Sequence, residues 1–144
     1  MKIAFDVHGV IQNFPEVFKP LMIALRSMGT AVAIISGPPE DYLREELSEL
    51  GYIEGQHFDE LYSIVDYLKA QPNVTMTQDA RGRWWTDDTI WWATKSSICK
   101  INDICLLIDD SVQYREYFEN GYKFILLTEQ DLNKLMCTIL NSVG

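Results

Sequence analysis

The stretch Ile3-Ala-Phe-Asp-Val-His-Gly-Val10 decides how the rest of the chain is read. Ile3, Ala4 and Phe5 form an uncharged apolar run. A short run of this kind, closed by a glycine, suits a strand buried on both faces of a parallel sheet. Asp6 falls where that strand stops. In an open α/β sheet, ligands bind beyond the carboxyl ends of the strands. A carboxylate there meets substrate or metal, whereas one in mid-strand has to be buried at considerable cost. Gly9 lets the backbone leave the strand with little steric penalty. A lone strand-ending aspartate is equally a turn residue, so its meaning depends on the other strand ends.

Two further apolar runs behave alike. Thr30-Ala-Val-Ala-Ile-Ile-Ser36 reads as a second buried strand, ending in a hydroxyl and followed by Gly37 and two prolines. Ile104-Cys-Leu-Leu-Ile108 reads as another and ends in Asp109-Asp110-Ser111. Between the first two, Val17, Phe18, Leu21, Met22, Leu25 and Met28 recur at helical spacing, with Pro15 suited to the first turn and Gly29 to the stop. Leu43, Leu47 and Leu50 mark a second helix closed by Gly51. Strand–helix–strand–helix order implies right-handed crossovers and a parallel sheet.

Further along, Leu61–Val65 reads as a short strand, followed by a helical turn through Tyr67 and Leu68. Val74–Thr77 and Arg83–Thr86 flank the loop Gln78–Gly82 as a β-hairpin. Asp87 and Asp88 favour a helix start before Ile90 to Cys99. A short helix with Tyr114, Tyr117 and Phe118 stops near Gly121, and Phe124–Leu127 makes a last strand. Thr128 is placed to cap a final helix whose apolar face is Leu132, Leu135, Met136, Ile139 and Leu140. The expected fold is α/β: a Rossmann-like three-layer sandwich with a central parallel sheet of about five strands. It forms a single domain over residues 1–144, with a small β-hairpin insertion around 72–88.

The 144 residues are 47% hydrophobic and 23% charged, the balance of an ordinary globular domain. A formal net charge of −9 argues against a nucleic-acid polymer as partner. It leaves room for a small phosphorylated ligand, because a bound cation reverses the local field. Cys99, Cys105 and Cys137 contain no C-x-x-C pair, which fits reduced thiols better than disulfides or zinc. Asp6 interrupts the first apolar run too early for a signal peptide. No apolar stretch approaches the ~20 residues that span a bilayer. The expectation is a cytoplasmic protein with no membrane partner.

A parallel sheet carries Asp6, Ser36 and Asp109-Asp110 to one edge, and Lys95 lies upstream of the last, near the start of a helix. Adjacent carboxylates raise each other's pKa unless a cation sits between them. With Asp6 they make a hard, oxygen-rich site of the kind that holds Mg²⁺ beside a phosphate. Singly, each group has a plainer role: a helix cap for the paired acids, a loop hydroxyl for Ser36, a surface amine for Lys95. Jointly they are much harder to explain that way.

These residues carry a resemblance. Asp6-Val-His-Gly-Val10, Ser36-Gly37, Lys95 and Asp109-Asp110-Ser111 stand in the order of the four motifs of the haloacid dehalogenase superfamily, which the chain resembles over nearly its whole length. Response-regulator receiver domains use similar groups but place the paired acids first. The run from Lys95-Ser-Ser-Ile-Cys-Lys100 to Ile108-Asp-Asp-Ser111 is similar to small phage and bacterial members and to deoxyribonucleotidases. The resemblance implies Mg²⁺-dependent hydrolysis of a small phosphate monoester, a nucleotide being one candidate. It implies that Asp6 attacks phosphorus and becomes an aspartyl phosphate. Asp6, Asp110 and the backbone carbonyl of His8 would hold the metal, with Asp109 orienting water or completing the shell. Asp110 is preferred over Asp109 because family motifs with a single acid here align with the second position. Ser36, the Gly37 N–H and Lys95 would bind the phosphoryl oxygens.

His8 departs from the family, whose phosphatases usually place an aspartate two positions after the nucleophile as acid and base. An imidazole, with an unperturbed pKa of about 6.5, is chemically able to do both jobs. Three readings of His8 stand: a working acid/base, a poor one that leaves a slow enzyme, or part of a site that only binds its ligand. The last two make the chain a catalytically weak or inactive phosphoryl- and metal-binding module. His57 reads as a loop histidine without a role.

The interval between Asp6 and Ser36 holds one helix, which excludes a large cap domain there. The interval from Gly51 to Thr94 is longer and holds the hairpin, with Trp84, Trp85, Trp91 and Trp92 close by. Tryptophans so concentrated either stack a base or sugar ring or pack the hairpin against its neighbouring helix.

Overall fold

The structure, a computed structural model, describes residues 1–119, 121–127 and 132–143. Five strands make its central sheet: β1 (Lys2–Phe5), β2 (Ala31–Ser36), β3 (Glu60–Ser63), β6 (Leu106–Asp109) and β7 (Lys123–Leu126). They are all parallel and stand in the order β3-β2-β1-β6-β7. β4 (Thr77–Gln78) and β5 (Trp84–Trp85) form a separate antiparallel hairpin. The helices are α1 (Pro15–Ser27), α2 (Glu40–Glu49), α3 (Ile64–Lys69), α4 (Asp88–Ile101) and α5 (Leu132–Ser142). A 3-10 helix spans Val112–Tyr117.

Side-chain alternation sorts the core into two layers. Ile3, Phe5, Val32, Ile34, Leu106 and Ile108 face one way and pack against apolar residues of α1, α2 and α5. Ala4, Ala33, Ile35 and Leu107 face the other way and pack against Ile98 and Cys99 of α4. The expected Rossmann-like sandwich is therefore present. No helix among the described residues is long and apolar enough to cross a membrane.

Some boundaries differ from expectation for identifiable reasons. The third strand ends at Ser63, because the Ser63 hydroxyl caps α3 by accepting the Asp66 N–H at 3.1 Å. Asp87 caps α4 through the N–H groups of Thr89 and Ile90, as its place ahead of Ile90 predicts. Lys95 consequently lies in the middle of α4, two turns in, and not near its start. Thr128 lies outside the described residues.

The topology positions the site. The chain runs outward from β1 to β2 and β3, then crosses back to β6 on the other side of β1. The carboxyl ends of β1 and β6 thus flank the point where strand order reverses, the usual ligand crevice of such sheets. Phe5 pairs with both Ile34 and Ile108, and the Asp6 N–H donates to the Ile108 carbonyl at 3.1 Å. Asp6 and Asp109 are level neighbours at that point.

Candidate active site

Asp6 leaves β1 into an irregular turn over Val7–Ile11, and its Oδ1 accepts the Val7 N–H at 2.9 Å. The Lys95 ammonium reaches across from α4, 3.2 Å from Asp6 Oδ1 and 2.5 Å from Asp109 Oδ2. The other Asp109 oxygen accepts the Ser111 N–H at 3.0 Å. Asp6, Lys95 and Asp109 are all buried, as is Ser36 at the end of β2. A mid-helix lysine suits this position, since its long stem spans the gap between α4 and the sheet edge. The Tyr114 ring, from the 3-10 helix, lies under the Lys95 ammonium at 4.4 Å. Such a cation–π contact holds the charge where two carboxylates already want it.

Burial pushes the Asp6 carboxyl up. It outweighs the Lys95 ammonium, and the nearby Asp109 carboxylate adds to it, so Asp6 is lifted to about 6. Burial pulls the Lys95 ammonium down, but Asp6 and Asp109 together outweigh that and keep it above its ordinary value. Asp110, at the mouth, is raised by partial burial and by Asp109.

Three carboxylates therefore meet one ammonium. Oxygens of Asp6, Asp109 and Asp110 all lie within 4.8 Å of one another. Gly9 makes room for this: it sits at φ +81°, and a Cβ added there would overlap the Asp110 carboxylate. Only glycine combines that backbone angle with that close approach. The excess negative charge and the all-oxygen donor set fit a hard divalent cation such as Mg²⁺. Lys95 and the Ser111 N–H take one oxygen each of Asp109, which leaves Asp110 the less committed of the pair.

His8 follows Asp6 by two residues, and its Nε2 lies 2.9 and 2.8 Å from the two carboxylate oxygens of Glu46 on α2. A carboxylate only accepts, so Nε2 donates and Nδ1 is the ring nitrogen left for other chemistry. Gln12 Nε2 also donates to Glu46 Oε1, at 3.3 Å. Sequence reasoning missed Glu46, because it sits in the acidic run Glu40–Glu49 that reads as a solvated helix face. Tyr114 was likewise visible only as an apolar position of a short helix. His57 serves the local fold. Its Nδ1 accepts the Ile53 N–H at 2.9 Å, and its ring packs on Tyr52.

Asp6, His8, Ser36, Gly37, Lys95, Asp110 and Tyr114 line one cleft of about 980 Å³, with Asp109 and Glu46 bonded to its lining residues from behind. The hairpin lines the far side with Gln78, Arg81, Arg83, Trp84 and Trp85. The tryptophans pack on one another: Trp85 stacks on Trp91 at 4.5 Å, and Trp92 meets Tyr114 edge-on at 4.8 Å. Trp91 in turn abuts Gly37, where an added Cβ would lie 3.3 Å from its ring. The aromatic residues thus tie the hairpin to α4 and also wall the cleft. Trp85 keeps 38% of its surface exposed.

No protein-family model matches this chain, and no curated protein matches it either.

Proposed function

We propose that the chain is a Mg²⁺-dependent phosphohydrolase of the haloacid dehalogenase type, acting on a small phosphate monoester through an aspartyl phosphate on Asp6. One arrangement carries this: Asp6, Ser36, Lys95 and Asp109-Asp110, the residues of the four-motif resemblance, converge at one rim of a parallel sheet. Asp6 attacks phosphorus as the ester P–O bond breaks. Ser36, the Gly37 N–H and Lys95 hold the phosphoryl oxygens while charge moves between them. His8, with Nε2 donating to Glu46, gives a proton from Nδ1 to the leaving oxygen. It then takes one from the water that attacks the aspartyl phosphate, and Asp6 departs as a carboxylate. Asp6, Asp110 and the His8 main-chain carbonyl would hold Mg²⁺, which when bound neutralises phosphate charge as the anionic nucleophile approaches. The cleft is far larger than a phosphate, and the partly exposed Trp85 offers aromatic surface to a leaving group that carries a planar ring, such as the base of a nucleoside.

One observation favours a second reading, a phosphoryl- and metal-binding module with little turnover. His8, at the acid/base position, already spends Nε2 on Glu46. Hydrolysis of an aryl phosphate, with Mg²⁺ and with EDTA, tests the two. The phosphohydrolase releases phosphate only with metal, and Asp6→Asn abolishes release. Equal rates for wild type and Asp6→Asn remove the enzyme reading.

A further inference from the structure

The hairpin turn is built around Asp79. Its Oδ1 accepts the N–H groups of Arg81 and Arg83 at 2.8 and 2.9 Å, and its Oδ2 accepts Arg83 Nε at 2.8 Å. The Asp79 N–H donates to the Arg83 carbonyl at 2.9 Å, and Gln78 Nε2 to the Gly82 carbonyl at 2.7 Å. The turn therefore uses the Arg83 side chain, whose charge Asp79 answers. From Arg81 it uses the backbone alone. The Arg81 guanidinium makes no hydrogen bond or ion pair among the described residues, although the chain has 21 acidic residues against 12 basic ones. It lines the same cleft as Asp6 and Ser36.

It belongs to the hairpin wall of that cleft. From Gly37, next to the phosphoryl-binding hydroxyl, the wall passes to Trp91, then to Trp85 stacked on it. Trp85 belongs to β5, whose turn carries Arg81. A ligand with its phosphate at Ser36–Gly37 and a ring against Trp85 brings its distal end toward this guanidinium. Arginine's planar fork is matched to carboxylate or phosphate oxygens.

We infer that Arg81 is a second anion subsite, and that the preferred substrates are monoesters whose planar leaving group carries its own negative charge. This rests on the phosphohydrolase reading for the position of the first phosphate. The test is quenching of tryptophan fluorescence in the full chain with Mg²⁺, in an Asp6→Asn background so that no ligand is consumed. Two ligand pairs are titrated, each adding the second anion across the ring: phenyl phosphate against 1,4-phenylene bisphosphate, and phenyl phosphate against 4-carboxyphenyl phosphate. The second anion is expected to tighten binding about tenfold, the worth of a charge-assisted hydrogen bond. A gain in the first pair alone makes the anion a phosphate, and a gain in both makes it any oxyanion. Adding Arg81→Gln removes the gain while leaving phenyl phosphate within about twofold, and Arg81→Lys restores part of it. Equal affinity within each pair, or equal weakening of all ligands by Arg81→Gln, overturns the subsite and leaves the phosphohydrolase reading standing. Failure of every phosphate to bind, to the wild type as well as to the Asp6→Asn background, overturns both.

Discussion

Replacing Lys95 with methionine tests the electrostatic balance on which the site is built. Asp109 is fully buried, and Lys95 is the only cation bonded to it among the described residues, at 2.5 Å. Asp6, also buried, has the same ammonium at 3.2 Å. Methionine keeps the stem and its packing but deletes the charge. Two carboxylates then share a buried site with no counter-charge from the protein. Breaking a buried pair from one side costs about 3–5 kcal/mol, against a total stability of roughly 5–15 kcal/mol for a domain. Urea unfolding followed by tryptophan fluorescence, in EDTA, should therefore show Lys95→Met severely destabilised. Adding Asp109→Asn should recover at least ~2 kcal/mol, because the two residues act as one unit. Excess Mg²⁺ should restore part of the loss by binding only the folded form. A cost below ~1 kcal/mol, or a double variant no more stable than the single one, would refute this account of the charge balance.

Three other outcomes follow from the same geometry. Glu46→Gln should slow hydrolysis of an alkyl phosphate by about 10- to 100-fold while barely affecting a nitrophenyl phosphate, whose leaving oxygen needs no acid; a faster Glu46→Gln enzyme would mean that Glu46 restrains His8 instead of orienting it. Gly9→Ala should cost about 1–2 kcal/mol for the left-handed backbone and weaken Mg²⁺ binding through displacement of Asp110, and unchanged metal affinity by calorimetry would contradict the close packing at Gly9. Between pH 3.8 and about 6, folded Asp6 keeps a proton that the unfolded chain has lost, so its contribution to stability in EDTA falls as pH rises through that window. Mg²⁺ competes with that proton, so its affinity should climb over the same range. Urea midpoints and Mg²⁺ titrations of wild type against Asp6→Asn isolate the term, and identical pH profiles for the two proteins would exclude it.

The sheet was legible because its strands are apolar runs that end abruptly in polar residues. Ile3–Phe5, Thr30–Ser36 and Ile104–Ile108 have no competing helical period, and all three became central strands. The edges were harder. At β3 the apolar run continues past Ser63, and a hydroxyl cap, not a change in hydrophobicity, sets the boundary. Asp6, Ser36 and Asp109 were readable as strand ends because parallel topology sends such ends to one rim. Lys95 was readable as a residue but was set too near the start of α4, although the Asp87 cap, readable in the sequence and present in the structure, puts it two turns in. Glu46, Tyr114 and Arg81 carried no local signal. A glutamate in an acidic helix, a tyrosine in a short one and an arginine in a turn acquire meaning only through partners distant in sequence: His8, Lys95 and the far wall of the cleft.

Hydrolysis by this route requires a bond between Asp6 and phosphorus. Borohydride reduces an acyl phosphate to an alcohol, so trapping during turnover followed by peptide mass spectrometry reads that bond directly. With a phosphate monoester and Mg²⁺ present, residue 6 should be recovered in part as homoserine, and it should remain aspartate when EDTA replaces the metal. Steady hydrolysis with residue 6 never reduced, or with the reduced residue elsewhere in the chain, would contradict the account.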